Sequence, residues 1–150
     1  MKKSPRQHAL ENMLRSSKIV AGGFLGTDGR PLEEIIEADL AAIDQAGVTI
    51  DQIARQMALL SEKAVENLGM PVVVNELFQV TCADYKGPLV CPWPHKGTFA
   101  KRIISAKRLD NGATMSWTAL GLHMIGEHSF FEGRGSAFRI EPARLIAFLF

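Results

Sequence analysis

The stretch PVVVNELFQVTC, Pro71 to Cys82, is where the chain changes its period. Upstream, apolar residues recur every three or four positions. Here they alternate, with Val72, Val74, Phe78, Val80 and Cys82 on one face of an extended strand and Val73, Asn75, Leu77, Gln79 and Thr81 on the other. Glu76 falls on the apolar face, which predicts a β-bulge or a partner for its carboxylate. Helices before this point and strands after it place the chain in the α+β class.

Upstream of that switch, Pro31 opens a helix with Glu33 and Glu34 in its first turn, where carboxylates complement the helix dipole. Leu32, Ile35, Ile36, Leu40 and Ile43 form its apolar stripe, and Gly47 ends it. Thr49-Ile50-Asp51-Gln52 is a capping box, and Val48 and Ile53 can close a hydrophobic staple across it. The helix that follows carries Ile53, Met57, Leu60, Ala64 and Leu68 and stops at Gly69. A further helix starts at Ser4-Pro5-Arg6-Gln7 and runs to about Lys18, with Leu10, Met13 and Leu14 as its stripe. Gly22 to Gly29 breaks it. That segment has no strand before it and lacks the Lys-Ser/Thr ending of a phosphate-binding loop, so it reads as a flexible connector. The AGVT turn between the two longer helices invites a helix-turn-helix reading, but Asp51 and the acidic balance of the pair oppose phosphate contact.

Downstream, Phe99 to Leu109 reads as a second strand studded with Lys101, Arg102, Lys107 and Arg108. Asp110-Asn111-Gly112 predicts a type I′ hairpin returning as a third strand, Ala113 to Met115. Ser116 can cap a helix through Trp117, Leu120, Met124 and Ile125, loosened at Gly126. Phe130 to Ser136 is a tight loop, Ala137 to Ile140 a fourth strand, and Pro142 opens a last helix ending in Leu145, Ile146, Phe148, Leu149 and Phe150. The expected architecture is a single α+β domain over residues 1–150. In it an N-terminal helical hairpin packs on a small antiparallel sheet, with a helix crossing between the third and fourth strands and a short C-terminal helix.

At 150 residues and 47% hydrophobic, the chain can bury one core. Net charge is +1, split between an acidic first half and a basic second half. Neither half has the clustered basic face of a nucleic-acid binder, and Lys101-Arg102 with Lys107-Arg108 is the one local exception. No apolar run approaches a bilayer span, and the basic Met1-Lys2-Lys3 start is followed by His8, Glu11, Asn12 and Arg15 rather than a signal-peptide core. A cytosolic protein is expected. In a reducing compartment its two cysteines are free thiols, ligands or catalytic groups rather than a structural disulfide.

The chemistry concentrates in the second half. CPWPH, Cys91 to His95, holds a thiol, an indole and an imidazole in a loop stiffened by Pro92 and Pro94. With His123 and His128, Cys91 and His95 form a metal-ligand set of the type zinc takes. On an unbroken helix His123 and His128 diverge by about 140°, so sharing an ion requires the helix to end near Gly126. A Cys–His nucleophilic pair is the alternative use of the loop, and a connector plugged into the core by Trp93 is the bland one. Trp93, Glu127, Arg134, Ser136 and Arg139 are the expected ligand-binding residues. In FFEGRGS, amides near Gly133 and Gly135 could form an anion nest, with Arg134 and Arg139 supplying charge for a small anionic ligand. The competing expectation is a tight turn in which Arg134 and Arg139 pair with Glu132 and Glu141. Cys82 is expected to be an inert buried thiol. Dinucleotide, P-loop, nucleophile-elbow and deaminase signatures are missing. The reading from another class is a non-catalytic homo-oligomeric module joined through the apolar C-terminus.

Overall fold

A computed structural model describes residues 3–150; Met1 and Lys2 of the basic start lie outside the described residues. Five helices and four strands run in the order α1 (Pro5–Arg15), α2 (Leu32–Gln45), α3 (Ile50–Glu66), β1 (Val72–Val74), β2 (Phe78–Leu89), β3 (Phe99–Arg108), β4 (Thr114–Thr118), α4 (Ala119–His128) and α5 (Pro142–Leu149). The strands form one antiparallel sheet in the order β1-β2-β3-β4. This is an α+β fold.

Both capping boxes form. Ser4 and Gln7 exchange hydrogen bonds of 3.2 and 2.6 Å, and Thr49 and Gln52 exchange bonds of 3.1 and 2.9 Å. Each satisfies two of the orphan amides at a helix start. α1 ends at Arg15, short of Lys18, because Ser16 turns extended and caps it. α3 buries Ile53, Met57, Leu60 and Ala64 completely, whereas Leu68, beyond the helix end and left-handed at φ 56°, is 91% exposed.

Pro71 to Cys82 is two strands rather than one. Asn75 and Glu76 take φ of 52° and 56°, and the Leu77 amide donates to the Val74 carbonyl at 3.1 Å. Positive φ at both central positions is the signature of a type I′ turn, which folds β1 back onto β2. The misfit at Glu76 is therefore a chain reversal, not a bulge. Across the sheet, Val80 pairs with Ala106 and Ala106 with Met115, while Cys82 pairs with Ile104 and Ile104 with Trp117. Val74, Phe78, Val80, Ile104, Ala106, Met115 and Trp117 form the buried face, and Ser105, Lys107, Thr114 and Ser116 face solvent. The Trp117 indole N–H donates to Ser61 Oγ at 2.8 Å, tying the sheet to α3.

Three local expectations give way here. Asn111 is not left-handed; Gly112 alone is, at φ 74°, and Arg108 and Ala113 close a longer loop through a 2.8 Å bond. Ser116 and Trp117 belong to β4, and the cap of α4 is Thr118, whose Oγ1 accepts from the Gly121 amide at 2.8 Å. Ala137 to Ile140 forms no strand, so α4 follows the last strand and no strand returns after it. The reason is Arg139, drawn onto Asp39 of α2 by bonds of 2.6 and 2.8 Å.

α5 docks on its own core through Leu145, Phe148 and Leu149, with the Phe148 ring 5.5 Å from that of Phe78; Phe150 stays 55% exposed. On β3, Lys101 and Lys107 are exposed, while Arg102 and Arg108 pair with Asp84 and Asp110. No helix among the described residues is long and apolar enough to cross a membrane.

A second core positions the site. Leu14, Phe24, Leu25, Leu32, Ile35, Leu120, Met124 and Phe130 cluster there around Cys91. The glycine segment helps to build it. Its Phe24 carbonyl accepts from the Gly133 amide at 2.8 Å, its Thr27 amide donates to the Arg134 carbonyl at 3.0 Å, and Asp28 accepts from the Arg134 amide at 3.1 Å. A Cβ on Gly26 would strike the backbone of Gly135 and Ser136. The expected flexible connector is one half of a close contact between two loops, made possible by glycine.

Candidate metal centre

Each of the four ligand-type side chains is fixed by its own local structure. Cys91 leaves the end of β2 into the second core and is 8% exposed. Pro94 then centres a tight turn in which the His95 amide donates to the Trp93 carbonyl at 2.9 Å, an i to i+2 bond that suits the fixed φ of proline. That turn carries His95 back towards α4, which supplies His123 and His128.

The ligand atoms of Cys91, His95, His123 and His128 all lie within 4.8 Å of one another. Cys91 Sγ is 3.5 Å from His128 Nε2, and His95 Nε2 is 2.9 Å from His123 Nε2. A tetrahedral zinc ion with bonds of about 2.3 Å to sulfur and about 2.05 Å to nitrogen has edges of roughly 3.6 Å and 3.3 Å. One sulfur–nitrogen edge already matches, and the His95–His123 nitrogen pair must part by a few tenths of an ångström, while the wider pairs of the set must draw in from as far as 4.8 Å.

α4 runs unbroken through Gly126 to His128, so the expectation that it must end near Gly126 fails. The His123 and His128 rings nevertheless come to 5.2 Å between centroids. Trp93 accounts for the meeting: its indole stacks on the His128 ring at 4.2 Å and 4° between planes, and its edge meets Phe130 at 5.4 Å. His128 is the last helical residue, with Ser129 turning left-handed at φ 55°, and its side chain is held on the loop side by this stack. Trp93 is half-buried, packs against the second core and braces His128.

Hydrogen bonding orients the set. His95 Nδ1 lies 3.0 Å from the Lys96 carbonyl, and a carbonyl can only accept, so Nδ1 carries the proton and in the neutral ring Nε2 has the lone pair. Across the 2.9 Å contact His123 then donates from Nε2, and it would take the other tautomer to bind an ion. Burial lowers the pKa of His123 and His128; the charge of His95 adds to this in both, that of His123 adds in His128, and Glu127 opposes it. Burial pushes the Cys91 thiol up, against a hydrogen bond from the Trp93 amide. Burial thus disfavours the charged forms of Cys91, His123 and His128. A buried, protonated thiol is a poor nucleophile, whereas neutral imidazoles are the form that binds metal.

The other candidate residues do not join the cluster. Glu127 is exposed, one turn from His123. Arg134 is exposed, and its amide is taken by Asp28. Ser136 donates its hydroxyl to Glu132 Oε1 at 2.5 Å. Arg139 pairs with Glu141 as the tight-turn alternative expects, but its main partner is Asp39. The amides of Gly133 and Ser136, candidates for the anion nest, bond to Phe24 and Gly133 carbonyls. Cys82 is half-buried, and burial raises its pKa too.

Sequence reasoning missed the buried carboxylates Asp28, Asp39 and Glu132 as organising groups. Asp39 had a signal: with Ile35 and Ile43 it occupies every fourth position of the apolar stripe of α2, where an acid needs a buried cation.

No protein-family model, curated protein or solved structure matches the chain. The donor set itself must carry the functional reading: one soft sulfur and three imidazole nitrogens suit zinc or copper and exclude magnesium and calcium, which take oxygen.

Proposed function

We propose that this is a cytosolic zinc protein whose ion clamps the CPWPH loop to the end of α4. The observation that carries the reading is the convergence of Cys91, His95, His123 and His128, from two separate elements, within 4.8 Å. Four protein ligands close a tetrahedral site, which favours a structural or regulatory ion over a hydrolytic one. Binding displaces the proton of Cys91, and the loop gains a cross-link to α4 where its own backbone offers few bonds. Trp93 supports the site by holding His128.

A second reading follows from the exposure of His95, the one exposed member of the four. If His95 leaves, the remaining cysteine and two histidines bind zinc with an open position, as in catalytic sites, and metal-assisted hydrolysis or group transfer becomes available.

The test is elemental analysis of untagged protein purified without chelator, with thiols counted on the same sample. One equivalent of zinc is expected, with Cys82 reactive and Cys91 protected, and with metal lost in Cys91→Ser and His128→Ala. Two freely reactive thiols and no metal, even after zinc addition, would remove the proposal. His95→Ala separates the two readings: retained zinc with an exchangeable water supports the open site, and complete loss supports the closed one.

A further inference from the structure

A cleft of about 470 Å³ opens beside the metal cluster's core, between the 19–24 segment, the outer ends of β2 and β3, and the 132–138 loop. Its walls are mainly apolar, from Ile19, Val20, Phe24, Leu89, Leu120 and Phe138. The size and lining suit a small molecule. Tyr85 and Lys101, both exposed, stand at its rim. A water-sized space of about 10 Å³ shares Thr118, Glu132 and Phe138 with it.

Glu132 is the unusual group. It is 6% exposed and lines both spaces. Its Oε1 accepts from Ser136 Oγ at 2.5 Å, while Oε2 has no protein partner among the described residues. No fully buried side-chain oxygen or nitrogen there lacks a partner, so Oε2 keeps contact with the spaces that Glu132 lines. The residue also holds a left-handed backbone, φ 68°, where glycine would sit without strain.

The surroundings decide its charge. Arg139 is the nearest cation, but its guanidinium is held by Asp39 and Glu141 and reaches Glu132 only at the backbone carbonyl, at 2.8 Å. From β4 comes Thr118, from α4 Gly121, and from β2 and β3 the rim groups Tyr85 and Lys101. Burial therefore prevails over the Ser136 bond and the Arg139 charge and raises the carboxyl to a pKa of about 7. Below that value the carboxyl is neutral, and in an apolar wall it is then a hydrogen-bond donor.

We infer that this cleft binds a small, uncharged, apolar molecule bearing an acceptor oxygen, such as a ketone or ester, which takes its hydrogen bond from Glu132 Oε2. The apolar body lies against Phe24, Leu89, Leu120 and Phe138. A cationic amphiphile would instead require Glu132 to ionise, so pH distinguishes the two.

The experiment is a protein-observed NMR titration of the full chain with 2-nonanone and, separately, nonylamine. Saturable shifts confined to residues lining the cleft are expected with the ketone, its affinity falling about tenfold between about pH 6 and pH 8 as Glu132 ionises. Glu132→Gln keeps a donor and should bind the ketone without that pH dependence. Glu132→Ala should weaken it by about tenfold. Should the alanine variant misfold, the contrast between wild type and Glu132→Gln still decides. No saturable binding, tighter binding of nonylamine, or a ketone affinity indifferent to pH would each overturn the inference.

Discussion

Arg139 and the Cys91 cluster both belong to the second half of the chain, and their polar groups end in opposite states. The five guanidinium N–H groups of Arg139 go to five acceptors, two on Asp39, two on Glu141 and one on the Glu132 carbonyl. That inventory is complete, with nothing left to offer a ligand. Cys91, His95, His123 and His128 instead face mainly one another, a thiol and three imidazoles that hydrogen-bond in pairs and whose ligand atoms all lie within 4.8 Å. A satisfied network holds two parts of a fold together. A cluster of ligand-type groups bonded mainly to one another could hold a metal.

The largest expected effect breaks the satisfied side. Arg139→Ala leaves Asp39 charged and buried without its partner, which should cost about 3–5 kcal/mol in chemical denaturation. Zinc binding by the molecules that remain folded should be unaltered. Next comes the Cys91 cluster, where zinc at about a hundredfold over its dissociation constant should stabilise the protein by about 2.7 kcal/mol. His128→Ala should abolish that increment while changing the stability of the metal-free protein much less. Equal losses from both substitutions in metal-free protein would erase the distinction.

Acid should separate the two in order. Burial lowers the pKa of His123 and His128 below the usual imidazole value, so protons compete for these two ligands only at lower pH than for ordinary imidazoles. The paired carboxylates act lower still. Arg30 holds Asp28 well below the ordinary carboxylate range, and Arg139 lowers Glu141. A carboxylate depressed in the folded state adds stability that is present above its unfolded pKa of about 4 and lost as pH falls below it. Metal release should therefore precede acid unfolding in a titration followed by both zinc content and circular dichroism. The smallest effect sharpens the role of Trp93. Trp93→Leu keeps the loop but removes the 4.2 Å stack on His128, and zinc affinity should fall about 10–100-fold, the cost typical of a group that orients a ligand.

The two regions also differ in how far the sequence reveals them. Capping boxes and stripes are local, and α2 and α3 were legible from them. Cys91, Trp93 and His95 were legible as a unit because two prolines mark a stiff loop. The reversal at Asn75 and Glu76 was hidden because Val74 and Phe78 pair across it, so the alternation of apolar residues passes through the turn unchanged. The start of α4 slipped from Ser116 to Thr118 because both residues are good caps and only strand pairing chooses between them. Asp39 and Arg139 stand a hundred positions apart, and only the three-dimensional fold brings them together. The meeting of His123 with His128 was masked for another reason: helix geometry gives the directions of the Cα–Cβ bonds, while a long ring swung by an aromatic neighbour can cover the rest.

X-ray absorption at the zinc edge of the purified protein tests the central claim most directly. A first shell of one sulfur at about 2.3 Å and three nitrogens at about 2.0–2.1 Å is the predicted result, with the sulfur lost in Cys91→Ser. A shell of light atoms alone, or a sulfur contribution that survives that substitution, would contradict it.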